Sequence, residues 1–380
     1  MIDVAHRLKQ VEEYYFSKKL RDVALLKLQG KPIINLGIGS PDLAPSPQVI
    51  TALTESLHNA NAHSYQSYQG LPELKKGISN FYKTHFKVTL NPQTEVLPLM
   101  GSKEGIMHIS MAFLNKEDHV LVPNPGYPTY SSVTKLLEAK PIYYNLKATH
   151  NWLPDFKALE QLDLSNVKLM WLNYPHMPTG TNATAQFYKD VIAFGKRHHI
   201  LIINDNPYSF IRNKKPLSLL HFDTAKTTCL ELNSLSKTFN MAGWRVGMLL
   251  GNADCINAVL KVKSNMDSGM FYGIQKGAIA ALKSSEDWFL NLNNTYNKRH
   301  RLIGQLAEKL NCTYTKNTTG LFVWAKIPKG KTSEEFTDAL LYNTSIFITP
   351  GTVFGSNGEG YVRFSLCATE AHIKEAIARV

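Results

Sequence analysis

Lys237 lies in the stretch NSLSKTFNMAGWRVG (233–247), behind Ser234 and Ser236 and ahead of Arg245. A lysine set among small hydroxyl residues just after a strand, near other cations and partly desolvated, has a lowered pKa and becomes an amine nucleophile. The hydroxyls and the arginine beside it make a cradle for phosphate. A second group is a carboxylate. Asp205 ends the apolar run ILIIND, where a charge is costly without a partner, and Tyr208 follows closely. A lone Asp at a strand end more often caps a helix or bonds a loop. A third stretch, LMGSKEGIMH (99–108), opens a helix with a Gly-Ser-Lys turn, and its free N–H groups suit an anion.

Such groups need a scaffold that gathers them. Strand-like runs at 95–100, 119–123, 168–173, 200–205, 227–232 and 246–251 are rich in Val, Ile and Leu. Helically spaced segments separate most of them, such as QVITALTESLHNA and AQFYKDVIAFGKRHH. This rhythm predicts a mostly parallel sheet covered on both faces, with ligands at the carboxyl ends of its strands. The last hundred residues differ: a long helical stretch from about 270 to 310, then LFVWAKI, a helix near 333–342, SIFIT, YVRFSL and a closing helix. The chain therefore divides into a large domain, 40–284, and a smaller α+β domain built from both ends, 1–39 and 285–380.

The 380 residues are too many for one simple core, and 44% hydrophobic with 19% charged is ordinary for a globular protein. No apolar run approaches a membrane span, and the charged N-terminus lacks the apolar core of a signal peptide, so the expected location is the cytoplasm. The net charge of +12 is spread without a basic block, which argues against a nucleic-acid partner and for a field that favours small anions. Four scattered cysteines show no ligand or disulfide spacing and read as buried thiols. His58, His63, His85, His108, His119, His198, His199 and His300 read as structural, and no metal is expected.

A lysine nucleophile, an acid, a tyrosine and a phosphate cradle are together what pyridoxal 5′-phosphate demands. On these residues the chain resembles, over nearly its full length, the class I/II aminotransferases of fold type I, nearest in motif to the LL-diaminopimelate group. The resemblance implies a seven-stranded, mostly parallel sheet in the large domain. It implies that Lys237 is the Schiff-base lysine and proton shuttle, that Asp205 pairs with the pyridine nitrogen, and that Tyr208 donates to the phenolic oxygen. Ser102, Lys103, Ser234 and Arg245 fall in the phosphate-binding set, Ser236 is a further cofactor-binding residue, and Tyr127 in PNPGYPTY stacks on the ring. Tyr65 matches the tyrosine that reaches a neighbouring subunit's phosphate, which implies a homodimer. Arg363 in YVRFSL matches the arginine that grips the substrate α-carboxylate, and Gly39 in NLGIGSPDLAPS lies close to the ligand. The implied reaction moves an amino group between an L-amino acid and a 2-oxo acid.

One motif departs from the family. NYPHMPTG (173–180) has Met177 where the family places an asparagine that contacts the phenolic oxygen, and a thioether cannot donate a hydrogen bond. Either Met177 packs against the ring and Tyr208 acts alone, or His176 or another polar group takes over. Lys103 and Glu104 either meet a polar distal group of the substrate or form an ordinary charged first turn. A C–S lyase or synthase of the same fold shares nearly every cofactor contact. A regulatory protein of this type is disfavoured: Lys237 and Asp205 are both kept, and only about 30 residues precede the aminotransferase-like part, where a DNA-binding domain would stand.

Overall fold

In a computed structural model, residues 2–13, 15–224 and 226–380 are described. A short β1 (Ile34–Asn35) precedes the large sheet of β2 (Val96–Leu99), β3 (His119–Asn124), β4 (Lys140–Asn145), β5 (Val167–Leu172), β6 (Leu201–Asp205), β7 (Cys229–Ser234) and β8 (Gly247–Gly251). Its order is β2-β8-β7-β6-β5-β3-β4, and β8 alone runs against its neighbours. Six of these strands coincide with the apolar runs in the sequence. The seventh, β4 (KPIYYN), has no such run because it is a half-solvated edge strand, the position where a proline such as Pro141 is tolerated.

Alternation along each strand feeds two apolar layers. Met170 and Leu172 of β5 join Leu74, Ile78 and Tyr82 of helix Pro72–Phe86 and Val191 of helix Ala185–His198 on one face. Leu169 and Trp171 join Ile106 of helix Ser102–Phe113, Val133 of helix Pro128–Leu136 and Val259 of helix Ala253–Lys263 on the other.

The chain's two ends meet in a second body. β9 (Thr313–Tyr314), β10 (Phe322–Lys326), β12 (Thr349–Pro350) and β13 (Tyr361–Ser365) form an antiparallel sheet, and β11 (Ile346–Phe347) pairs with β1. The predicted long helix is two helices, Tyr272–Ala281 and Glu286–Lys309. The second restarts after Ser284-Ser285 with Glu286 and Asp287 in its first turn, where acidic groups suit the helix dipole. Among the described residues, no helix is long and apolar enough to cross a membrane. All four cysteines are unpaired; Cys229 and Cys312 are buried as expected, whereas Cys255 and Cys367 are half-buried.

The reversal of β8 has a local consequence. Leu99 and Ser234, at the carboxyl ends of β2 and β7, both lie opposite Gly247 at the start of β8. One row thus brings together the N-terminus of helix Ser102–Phe113, Ser234 and the approach to β8 through Arg245. The fit depends on Gly247, because a Cβ there would lie 2.6 Å from Ser102 N and 2.7 Å from Gly101 C. Gly247→Ala is expected to lower stability by about 1–3 kcal/mol, the usual range for overpacking against backbone. An unchanged thermal midpoint would show that the Gly101-Ser102 turn yields freely.

Candidate active site

A cleft of about 370 Å³ opens at the carboxyl ends of the large sheet's strands, against β10 and β13. Of the residues singled out in the sequence, Gly39, Ser102, Lys103, Tyr127, Met177, Asp205, Tyr208, Ser234, Ser236, Lys237, Arg245 and Arg363 all line it. Tyr65 does not; it is 91% exposed.

Lys237 stands on the one-turn helix Leu235–Thr238, whose start is capped by the Ser234 side chain, which accepts from Ser236 N. Its Nζ donates to Gly39 O at 2.6 Å. Burial pulls its pKa down, the nearby guanidinium groups of Arg363 and Arg245 act in the same direction, and Cys367 and Asp205 oppose them. A lysine so placed is a neutral amine over more of the pH range than one in water.

Asp205 ends β6 and is 5% exposed. Its Oδ2 accepts from Tyr130 OH at 3.0 Å, while Oδ1 is buried without a hydrogen-bond partner. Burial pushes its pKa up to about 7, against the Tyr130 hydrogen bond and the charge of Lys237, which lower it. Tyr130 is fixed in turn by stacking on Trp171, with ring centroids 4.9 Å apart. An orphaned, buried carboxylate oxygen is an acceptor waiting for a donor.

The opposite end of the cleft is cationic. Gly101 (φ +92°) turns the chain into helix Ser102–Phe113, and Arg245, itself left-handed at φ +56°, lies against it. Arg245 Nη1 donates to Ala242 O at 2.9 Å. Burial, and then Arg245, lower the pKa of Lys103. Glu104 resolves to the charged first turn: it accepts from Met100 N, meets His108 Nε2 at 2.9 Å and does not line the cleft. Glu104, His108 and Asp267 bring potential ligand atoms within 4.8 Å, but Lys263 Nζ sits 2.8 Å from Asp267 Oδ1 and balances that group's charge.

Arg363, 4% exposed on β13, forms the third corner. Nη2 donates to Gly37 O at 2.7 Å and Nη1 reaches Met177 Sδ at 3.4 Å. Its guanidinium lies 4.0 Å from the ring centre of Phe322, 4.7 Å from that of Phe354 and 5.4 Å from that of Phe16. The NYPHMPTG turn is the cleft wall beside it. Asn173 locks that wall: Nδ2 donates to Asp205 O at 2.6 Å and Oδ1 accepts from Met177 N at 2.9 Å. His176 does not reach the cleft. It is buried with Nδ1 on Thr179 Oγ1 at 2.8 Å, and burial holds its pKa at about 3, with the Pro125 carbonyl opposing.

Tyr208 packs edge-to-face on Phe322 at 5.9 Å and Tyr127 on Tyr130 at 5.5 Å. Tyr130, Asn173, Phe16 and Phe322 also line the cleft and were not singled out. Tyr130 and Asn173 stand inside motifs quoted for other residues, so a signal existed. Phe16 and Phe322 arrive by tertiary packing alone and leave none.

These features fit pyridoxal 5′-phosphate. An orphaned acceptor suits a protonated ring nitrogen, a helix N-terminus with Arg245 suits a phosphate, and a lysine of lowered pKa lies between them.

The family model for aminotransferase class I and II matches residues 31–380. The chain is 38% identical to a Dehalococcoides mccartyi LL-diaminopimelate aminotransferase over 99% of itself and 98% of that protein. It is 39% identical to the Halothermothrix orenii protein of the same name, over 99% and 97%. Among solved structures, apo-BacF from Bacillus subtilis superimposes with a TM-score of 0.95 at 38% identity, covering 100% of this chain and 98% of that one. An aminotransferase from Staphylococcus aureus gives 0.90 at 32% identity, covering 99% and 98%. Nothing among these relatives favours a lyase, and the chain belongs to the class I and II aminotransferases, enzymes that work with pyridoxal 5′-phosphate.

Proposed function

We propose that this aminotransferase moves an amino group between an L-amino acid and a 2-oxo acid in two half-reactions, with Lys237 as the residue that holds the cofactor and carries the proton. The observation that carries the reading is the joint placement of Lys237, the orphaned Asp205 oxygen and the Ser102/Arg245 anion end in one cleft. When bound, pyridoxal 5′-phosphate supplies an electron-poor ring that takes up the electron pair left when the substrate Cα loses its proton.

The chain's residues divide the remaining work. Asp205 Oδ1 would accept from the protonated ring nitrogen and keep its proton in place. The Ser102 amide and hydroxyl, the Lys103 amide, Ser234, Ser236 and Arg245 hold the phosphate. Tyr127 would cover the ring face, and Tyr208 would donate to the phenolic oxygen. Arg363 binds the α-carboxylate and Gly39 gives backbone approach. Lys237 Nζ, a neutral amine over more of the pH range than a lysine in water, would take the proton from the substrate Cα and hold it for return. Residues 40–284 carry the cofactor, and 1–39 with 285–380 bring the carboxylate anchor. Tyr65, exposed in one chain along with Met266 at 59%, serves the site of a second copy in a homodimer. Four unpaired thiols are consistent with a reducing, cytoplasmic setting. The names of the relatives put LL-diaminopimelate among the donors to try, with aspartate, alanine and methionine.

Lys237→Ala is expected to abolish both the cofactor's lysine-linked absorbance and turnover; unchanged transamination would overturn the assignment. Asp205 carries a pH prediction for the cofactor-free protein. Its carboxyl titrates near 3.8 when unfolded and about 7 when folded, so the folded state binds more protons between those values. Stability from this group is therefore lost as pH rises from about 4 to about 7. Cofactor-free Asp205→Asn should gain on the parent across that window in urea unfolding, and the gain should level off above it. Parallel pH curves would remove the claim.

Met177→Asn offers a third check. A donor toward the phenolic oxygen favours the form that carries negative charge there, so this substitution should lower the pKa read from the cofactor's absorbance. No shift would mean that another donor already serves that oxygen.

A further inference from the structure

We infer that a groove between helix Glu286–Lys309, the end of β9 and Arg212 is a second anion site, one that takes the phosphate group of a small molecule. The groove encloses about 800 Å³ and shares no lining residue with the cleft. On the helix, Asn297, Lys298 and Arg301 stand three, four and seven residues after Asn294, so the four share one face. Arg212 meets that face, its Nε donating to Asn297 Oδ1 at 3.1 Å, and Lys316 lines the groove just beyond β9. Four cations therefore line the groove with one carboxylate, Glu308, whose Oε1 lies 3.9 Å from Lys316 Nζ.

Cations along an exposed helix face are commonly just solvated. Two groups in this groove are not. Arg212 is half-buried, and its Nε and Nη1 donate to Asn297 Oδ1 and to Thr318 O at 2.8 Å, both neutral acceptors. Among the described residues it forms no ion pair, and its Nη2 has no hydrogen bond. Burial pulls its pKa down to about 10, with Tyr314 opposing. His300 lines the same groove at 5% exposure, and its Nε2 is buried without a hydrogen-bond partner. Burial, and then the charge of Arg212, hold the His300 pKa at about 3, so the ring is neutral and Nε2 can carry its one N–H.

An anion answers both conditions. It compensates a guanidinium that has lost water without gaining a counter-charge, and it accepts from the His300 ring. A carboxylate brings one charge and two oxygens in a plane. A phosphate brings up to two charges and three oxygens in tetrahedral array, which suits donors arriving from the helix, from Arg212 and from beyond β9. The volume exceeds a bare phosphate and is that of a site for a small molecule carrying one. Neither Tyr65 nor Met266, the exposed residues given to a second copy, lines the groove or neighbours in sequence a residue that does.

Calorimetric titration of the holoenzyme with pyrophosphate, at constant ionic strength in sodium chloride, tests the site. In that form the cofactor's own phosphate holds the anion end of the cleft, so that end does not compete. One pyrophosphate per chain is expected to bind. Lys298→Glu and Arg301→Glu should each weaken it roughly 10-fold or more, the scale of a charge-assisted hydrogen bond. Lys189→Glu makes the same charge change at an exposed lysine on helix Ala185–His198 and should alter affinity by less than about 2-fold. His300→Phe keeps an aromatic ring beside Tyr314 but removes Nε2, and should weaken binding roughly 3-fold or more. No binding beyond that of chloride overturns the site. An equal loss in all three charge reversals also overturns it, since the protein's overall field would then be the binder. Full affinity in both Lys298→Glu and Arg301→Glu places the ion elsewhere and overturns the assignment, and full affinity in His300→Phe overturns the part given to Nε2.

Discussion

A carboxyl group at the end of β6 is kept from water with one oxygen unpartnered, and much of the cleft is arranged around that condition. An unmet buried acceptor costs about 1–3 kcal/mol, so the surroundings must hold Asp205 where it cannot relax toward solvent. Tyr130 takes the other oxygen and is itself stacked on Trp171. Asn173 takes the Asp205 backbone carbonyl and, through its own carbonyl, the Met177 amide. Asn204, one residue before, clamps Tyr174 through both its backbone N–H and its carbonyl. The acid and the turn that faces it are therefore one rigid unit.

The far end of the cleft carries the opposite imbalance. The reversed β8 delivers Arg245 to the N-terminus of helix Ser102–Phe113, beside Lys103. Cations placed against a helix's positive end repel one another and the dipole, and only an anion relieves this. A ligand with a protonated ring nitrogen at one end and a phosphate at the other relieves both conditions at once. Lys237 lies between them, its pKa lowered chiefly by burial and further by the guanidinium groups of Arg363 and Arg245. The lysine is thus activated by the same charges that bind the ligand's parts.

This logic was largely legible in the sequence because strand ends and helix starts are local features. NSLSK, ILIIND and MGSK each declare a strand ending in a chemically unusual residue, and parallel topology gathers such ends without long-range information. What failed to register has one cause. β4 is a half-solvated edge whose apolar pattern is broken, and Phe16, Phe322 and Phe354 are ordinary apolar residues until packing sets them around a guanidinium. Glu104 was ambiguous for a related reason: its distance from the cleft is fixed by the helix's rotation, not by its neighbours in sequence. The role of His176 also needed the fold, which turns its ring away into the turn, onto Thr179.

The methionine in the turn then acquires a physical meaning. A thioether is a weak acceptor, so the Nη1 contact to Met177 Sδ holds Arg363 loosely on that side, while Gly37 O holds Nη2 more firmly. The aromatic rings add attraction without direction, since a guanidinium slides over a ring face at little cost. Arg363 is therefore held by the Gly37 carbonyl, the Met177 sulfur and the rings of Phe16, Phe322 and Phe354. An asparagine at 177 would present a carbonyl that competes for the same N–H, or an amide that serves the phenolic oxygen. Methionine does neither; it packs in the apolar cluster that also holds Tyr208 and Phe322. The departure from the family's pattern therefore touches two groups at once: on the proposed reading it leaves the phenolic oxygen to Tyr208, and it gives Arg363 a sulfur neighbour in place of an amide.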